Sequence, residues 1–201
     1  TTSVAAAAAA ATDAGTETTK HEQQKVYFHR LGTAQADDVL VYANADCPEW
    51  LFGVEVSVDG KFLVLSVSES CAQKNRLYVQ ELGASVDDDK PIEKAIDNFD
   101  AAWWYVTNDA RRFYFQTNLD APKFRVVAVD MAAPTDADGR VVLHELIAEG
   151  DDVIEGVVPV AGDKLVIETM HDVRSVLSLH DLATGAKLRD FDLPSICCIH
   201  G

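Results

Sequence analysis

The side chains in this sequence that are best suited to catalysis are two histidines that each precede an aspartate, in His171-Asp172 and His180-Asp181. A histidine oriented by a carboxylate can serve as a general base if a serine or cysteine nucleophile lies within reach. The sequence contains no G-x-S-x-G nucleophile elbow, and none of its six histidines has an evident nucleophile partner. Both pairs also adjoin runs of β-forming residues. The sequence therefore predicts structural roles for both pairs and no catalytic residue in this chain.

Four cysteines are the other reactive side chains: Cys47, Cys71, Cys197 and Cys198. None has the C-x-x-C spacing of a zinc site, and the two adjacent cysteines would bridge only with strain in the backbone. We expect free thiols, no metal and no cofactor. Free thiols are the rule in a reducing compartment, which favours a cytoplasmic location.

The charge balance excludes two classes of partner. Asp and Glu number 33 against 17 Lys and Arg, so the net charge is -16 and the pI is near 4.6. Such a surface repels phosphate backbones and anionic headgroups. No apolar run approaches the ~20 residues of a membrane span, and the first residues lack the basic and apolar regions of a signal peptide. We expect neither nucleic acid nor a membrane as a partner.

The elements that must position these residues are short β-strands. From Lys25 onward, runs of β-branched and aromatic residues alternate with Asp, Gly, Asn or Pro, as in Val54–Val58, Phe62–Val67 and Arg76–Gln80. No stretch has ten or more residues of clear helical periodicity. The sequence predicts an all-β fold.

The strand pattern also repeats. "VEVSVDGKFLVLSV", "WYVTNDARRFYFQT" and "GVVPVAGDKLVIET" each hold a strand, a turn with Asp, a basic residue and a second strand; the basic residues are Lys61, Arg112 and Lys164, 51 and 52 residues apart. A third and an outer strand follow each unit, so four strands recur every ~50 residues, as in the blades of a β-propeller. The prediction is three full four-stranded blades plus two partial ones, the alternative being a β-sandwich. Because so few blades cannot close a propeller, we expect a segment of a larger protein.

Several motifs together resemble the prolyl oligopeptidase family: "DAGTET", "KVYFHRLGT", "PEWLFGVEVSVDGKFLVLSVSESC", "NRLYVQEL", "IDNF", "YVTND", "FQTN" and "LHDLATGAKL". The resemblance runs from about Asp13 to Gly201. It implies blades of a seven-bladed β-propeller from a monomeric, cytoplasmic serine peptidase that cuts short peptides after proline. It also implies that the Ser-His-Asp triad belongs to an α/β-hydrolase domain outside this chain, which would be the propeller's partner.

The resemblance further implies a substrate pocket. Leu51 stands where the family usually has Met, and Cys71 matches a family cysteine that lines the pocket for the third residue before the scissile bond. Ser68 stands where the family commonly has Arg, so a charge-assisted contact to the peptide is lost. The alternatives are core packing for Leu51 and a buried, inert thiol for Cys71.

The first 24 residues form a separate prediction. Seven alanines, Ala5–Ala11, lead into Gly15, Thr16, Glu17, Thr18 and Thr19, a stretch with no large apolar side chain to anchor it. The resemblance implies that residues 1–24 are a mobile loop at the propeller start that gates substrate entry, and that residues 25–201 are the propeller segment. The alternatives are an ordinary surface connection for the loop and, for the chain, a non-catalytic propeller that binds other proteins.

Overall fold

The computed structural model of the chain describes residues 22–83 and 90–193. Within these ranges it consists of fourteen β-strands and one short 3₁₀ helix, Gln35–Asp37. Neighbouring strands are antiparallel and follow chain order in every sheet. The described part of the chain contains no helix long and apolar enough to cross a membrane.

The strands form one two-stranded sheet and three four-stranded sheets. The two-stranded sheet contains β1 (Lys25–Phe28) and β2 (Val39–Ala43). Blade 1 contains β3 (Leu51–Val56), β4 (Phe62–Ser68), β5 (Arg76–Glu81) and β6 (Ile92–Ile96). Blade 2 contains β7 (Trp103–Asp109), β8 (Arg112–Thr117), β9 (Arg125–Asp130) and β10 (Leu143–Ile147). Blade 3 contains β11 (Val153–Val160), β12 (Lys164–His171), β13 (Arg174–Asp181) and β14 (Lys187–Phe191). The predicted propeller blades are confirmed, and β1 with β2 supplies one of the predicted partial blades.

The turn between β3 and β4 shows what the acid before the basic residue does in the first repeat. The Asp59 carboxylate accepts hydrogen bonds from the Ser57 hydroxyl (2.7 Å) and from the Lys61 backbone N–H (3.2 Å). Gly60 has a φ of +72°, a conformation that glycine adopts without strain. The side chain of Asp59 therefore closes the turn, and Lys61 is left at its exposed end.

Blades 1 and 2 each bury their two faces against two different neighbours. Residues that alternate along β8 go to opposite sides: Phe113 and Phe115 pack against blade 1, whereas Tyr114 packs against blade 3. The blade 1–blade 2 core also contains Trp103, Leu77 and Val127, and the blade 2–blade 3 core contains Val126, Leu165 and Ile167. A third core joins β1 to blade 1. This period of two is what strands buried on both faces require.

The antiparallel order places one set of loops on one face of the blades. We call this the upper face, defined as the face at which β3, β7 and β11 begin. Because the strands alternate in direction, the loop from β4 to β5 (residues 69–75), the loop from β8 to β9 (residues 118–124) and the turn from β12 to β13 also lie there.

Candidate functional site

The three predicted pocket residues lie at one corner of blade 1 on the upper face. Leu51 begins β3 and Ser68 ends β4, and the two are direct register partners. Cys71 follows in the loop 69–75. Leu51 is 40% exposed and Cys71 is an exposed free thiol, so within the described chain Leu51 is not a core residue and Cys71 is not a buried thiol. The fold thus brings an alkyl side chain, a hydroxyl and a thiol to one corner of the upper face.

A cation enclosed by aromatic rings lies beneath this corner. The Arg76 guanidinium packs over Trp50 at 4.6 Å and over Phe99 at 4.4 Å from the ring centroids. Arg76 follows the loop 69–75, and Trp50 directly precedes Leu51. Arg76 therefore joins the end of the loop that carries Cys71 to the strand that carries Leu51, through contacts of about 1–2 kcal/mol for a partly desolvated cation.

A carboxylate completes the cluster. Asp97 Oδ1 accepts hydrogen bonds from Arg76 Nη1 and from the Tyr78 hydroxyl, both at 2.5 Å. Burial alone would raise the pKa of Asp97, but the hydrogen bonds from Tyr78 and Arg76, together with the charges of Arg76 and Lys94, outweigh it and hold the pKa below its ordinary value. Burial raises the pKa of Tyr78 above its ordinary value, and the hydrogen bond to Asp97 and then the Asp97 charge raise it further. Asp97 is therefore ionised and Tyr78 neutral near pH 7.

The residues of this cluster were not predicted as a site from the sequence, although the motifs "PEW", "NRL" and "IDNF" contain most of them. One signal was available. Arg76, Arg125 and Arg174 lie 49 residues apart, and each begins or directly precedes the third strand of its blade. Arg125 repeats part of the arrangement, with Nη1 3.0 Å from Glu145 on the fourth strand of its blade.

The two histidine-aspartate pairs have structural surroundings. His171 lies at the exposed β12–β13 turn, where Nδ1 is 2.8 Å from Asp152 and Nε2 is 3.6 Å from Asp172. The hydrogen bond and charge of Asp152, and then the charge of Asp172, raise the pKa of His171. These contacts link the turn to the segment that enters β11.

One expectation about the histidines is wrong. His180 does have a hydroxyl within reach, because Nε2 lies 2.9 Å from Ser178 Oγ, while Nδ1 lies 2.9 Å from the Gly185 carbonyl oxygen. The two side chains share a face of β13 because they are two residues apart. The carbonyl oxygen can only accept, so Nδ1 carries a proton. Both residues are buried, and the two ring nitrogens are taken up by Ser178 and by the Gly185 carbonyl, so the pair supports the turn after β13.

Several predicted features lie outside the described residues. These are the gating residues Gly15, Thr16, Glu17, Thr18 and Thr19, together with Cys197 and Cys198. Across residues 22–83 and 90–193, no group of three or more His, Cys, Asp or Glu side chains is placed to hold a metal ion.

Comparison with known proteins identifies relatives along nearly the whole chain. The family model described as "Prolyl oligopeptidase, N-terminal beta-propeller domain" matches residues 8–201. A prolyl endopeptidase from Dictyostelium discoideum is 33% identical over an alignment of 192 residues, which covers 90% of this chain and 25% of the relative. Prolyl oligopeptidase A from Amanita bisporigera is 34% identical over 121 residues, which is 60% of this chain and 16% of the relative.

Solved structures share the architecture. Prolyl oligopeptidase B from Galerina marginata, bound to a 35mer hydrolysis and macrocyclization substrate, superposes with a TM-score of 0.79 at 26% identity, covering 90% of this chain and 24% of that one. A structure from a study of two prolyl endopeptidases gives a TM-score of 0.75 at 28% identity, covering 87% and 24% of the two chains. The chain thus spans about a quarter of the length of the Dictyostelium relative and of both of these structures.

Proposed function

Because this chain belongs to the prolyl oligopeptidase family, as part of its N-terminal β-propeller domain, we propose that it forms one wall of the substrate pocket in a serine peptidase that cleaves short peptides on the carboxyl side of proline. The observation that carries this proposal is the meeting of Leu51, Ser68 and Cys71 at one exposed corner of the upper face. The parent protein is a monomer in the cytoplasm.

The chemistry of the corner suits an apolar side chain of the peptide. Leu51 supplies alkyl surface, and the soft, polarisable sulfur of Cys71 packs well against irregular apolar groups. Ser68 adds a neutral hydroxyl, which makes weaker contacts with a peptide carboxylate than a cation makes. The subsite therefore takes an uncharged residue, upstream of the proline, that reaches blade 1.

The groups that break the peptide bond come from the α/β-hydrolase domain of the same protein. The propeller segment shapes the substrate pocket and controls access to it. A Ser-His-Asp triad needs a nucleophile on an exposed elbow, and the sequence of this chain has none. Residues 1–201 alone are expected to leave a prolyl-amide reporter intact. Turnover by that fragment, blocked by an active-serine reagent, would contradict this division of roles.

In this proposal, residues 1–24 control the entry of the peptide substrate. Gly15 permits rearrangement of the chain, and Thr16, Glu17, Thr18 and Thr19 bring no large apolar anchor, so opening of this segment admits the peptide. Tethering it to the hydrolase domain by an engineered disulfide should slow turnover under oxidising conditions, and more for long peptides than for short ones. If the tethered protein cleaves both long and short peptides at the rates of the untethered protein, the segment is only a connection and does not gate entry.

The pocket wall is tested in the full-length protein with a bulky thiol reagent and a prolyl-amide reporter. Reagent attached to Cys71 should block peptide entry, because the thiol is exposed at the corner. Cys71→Ser should abolish this inhibition and retain most activity, since the thiol performs no chemistry. The matched control is Cys47→Ser, which removes the other described free thiol and should leave the inhibition unchanged.

Two results would contradict the proposal. Inhibition that persists in Cys71→Ser would show that another cysteine is responsible. A full-length protein that does not cleave the reporter and does not react with an active-serine reagent would instead favour a propeller that serves only to bind other proteins.

A further inference from the structure

The loop 69–75, which carries Cys71, is attached to the neighbouring blade by two asparagine side chains. Asn75, at the end of the loop, is buried. Its Oδ1 accepts the backbone N–H of Trp103 (2.7 Å), and its Nδ2 donates to the carbonyl oxygen of Trp103 (3.1 Å) and to Ser66 Oγ (3.0 Å). Its own backbone N–H donates to the carbonyl of Ala101 at 3.0 Å. The end of the loop is thus fixed to the start of β7 in blade 2.

Asn118 makes the reciprocal attachment from blade 2. It follows β8, and its Oδ1 accepts the backbone N–H of Ala102 at 2.7 Å. Its Nδ2 donates to the carbonyl of Gln73 at 3.2 Å, inside the loop 69–75 and two residues from Cys71. Blade 2 therefore holds the loop at Gln73 as well as at Asn75.

The rest of the loop is held less firmly. Its other described hydrogen bonds are local ones, from Ala72 N–H to Ser70 Oγ (3.2 Å) and from Lys74 N–H to the Ala72 carbonyl (2.8 Å). Such local turns do not fix a loop relative to its neighbours. Apart from the Arg76 contacts that follow the loop, the position of Cys71 relative to Leu51 and Ser68 therefore depends on the two asparagines.

We propose that Asn75 and Asn118 are positioning residues for the pocket wall, which set the place of Cys71 from the neighbouring blade. This inference rests on the proposed function for its consequence in catalysis, but the attachment itself is a property of the propeller. The binding of a peptide that reaches Cys71 therefore depends on the relative position of blades 1 and 2. The binding of a shorter peptide that ends before Cys71 does not.

Asn118→Asp isolates the attachment of the loop. The carboxylate still accepts the Ala102 N–H, whereas it has no N–H to donate to the Gln73 carbonyl. The matched control is Gln116→Ala, which removes a buried hydrogen bond from Gln116 Nε2 to the Ile154 carbonyl (2.8 Å) between blades 2 and 3. Both variants weaken an interface between blades, but only the first affects the loop 69–75.

The first measurement is amide hydrogen exchange in the full-length protein, resolved to the peptide that spans residues 69–75. Exchange there should rise about fivefold in Asn118→Asp, the change that one lost neutral hydrogen bond gives an opening equilibrium, and should not rise in Gln116→Ala. Unchanged exchange in Asn118→Asp, or an equal rise throughout blades 1 and 2, would overturn the positioning role. This outcome does not depend on whether the protein is a peptidase.

The second measurement compares a prolyl-amide reporter that extends at least three residues upstream of the cleaved bond with one that ends at the residue before proline. In Asn118→Asp, KM for the longer reporter should rise about threefold while kcat is retained, and both constants for the shorter reporter should be retained. In Gln116→Ala, any change in KM or kcat should be the same for both reporters. Raised exchange combined with equal effects on the two reporters would uphold the attachment of the loop and refute the pocket at Cys71.

Discussion

Replacing Gly185 by alanine should destabilise blade 3 through a contact with blade 2. Gly185 lies in the turn between β13 and β14 at a φ of +73°, and a Cβ placed on it would lie 1.9 Å from the Leu146 carbonyl oxygen and 2.9 Å from its carbonyl carbon. Backbone atoms of β10 cannot move aside by changing a rotamer. The whole turn must shift away from Leu146 to accommodate the methyl group.

The cost follows from two terms. A left-handed backbone costs an L-residue about 1–2 kcal/mol. Shifting the turn also breaks the 2.9 Å hydrogen bond from His180 Nδ1 to the Gly185 carbonyl, and a buried donor left without a partner costs about 1–3 kcal/mol. We expect Gly185→Ala to lower the free energy of unfolding by about 2–5 kcal/mol, the sum of the two ranges.

Gly162→Ala is the matched control. Gly162 lies in the β11–β12 turn of the same blade at a φ of +78°, and a Cβ there would meet no atom within 4 Å. Gly162→Ala should therefore cost only the left-handed backbone, about 1–2 kcal/mol. Denaturant unfolding of both variants, followed by tryptophan fluorescence and by exchange at β13, measures the difference. Equal losses in the two variants would refute the argument that the close approach to Leu146 makes glycine necessary.

Three further predictions concern hydrogen bonds and charges. Asn75→Ala should lower the free energy of unfolding by about 2–4 kcal/mol in a urea titration, because the buried N–H and carbonyl of Trp103 both lose their Asn75 side-chain partner; a loss under 1 kcal/mol would contradict the network. The lowered pKa of Asp97 means that its contribution to stability is present above the unfolded value, about 3.9, and is lost as pH falls through the folded value. Asp97→Asn should therefore flatten the fall in unfolding midpoint below about pH 4, and an unchanged pH profile would contradict this. The raised pKa of His171 means that its contribution to stability is present below the unfolded value, about 6.5, and is lost as pH rises through the folded value. Asp152→Asn should therefore lower the His171 pKa in an NMR titration. An unchanged pKa would show that the contact is absent in solution.

The blades could be predicted from the sequence because they depend on local patterns. The Asp59 turn and the basic residues Lys61, Arg112 and Lys164 mark the same hairpin in three repeats, and the alternation along β8 already separates Phe113 and Phe115 from Tyr114. Strand ends were less accurate. The sequence predicts a strand over Val54–Val58, whereas β3 covers Leu51–Val56, because Ser57 leaves the strand to hydrogen-bond with Asp59.

The attachments at the site could not be predicted in this way. Asn75 and Trp103 are 28 residues apart, and Asn118 and Gln73 are 45 residues apart. Hydrophobic periodicity reports which face of a strand is buried, but an asparagine at a strand end looks the same whether it closes its own turn or reaches the next blade. The 49-residue spacing of Arg76, Arg125 and Arg174 indicates a repeated role, but it does not reveal that Trp50 and Phe99 enclose only the first of them.

Blade 2 has no interior that it can complete by itself. Its sheet is covered on one side through Phe113 and Phe115 and on the other through Val126 and Ala128, each time by side chains of a different blade. Stability in such an array passes from neighbour to neighbour, as in a one-dimensional chain of coupled units. During synthesis, each new blade would at once bury the face that packs on the preceding blade. Its other face would stay exposed and apolar until the following blade emerges. A destabilising mutation at one interface would expose apolar surface on both blades that meet there. Nascent chains that pause between two blades expose the same kind of surface, and they are therefore the species most prone to exchange blades with one another.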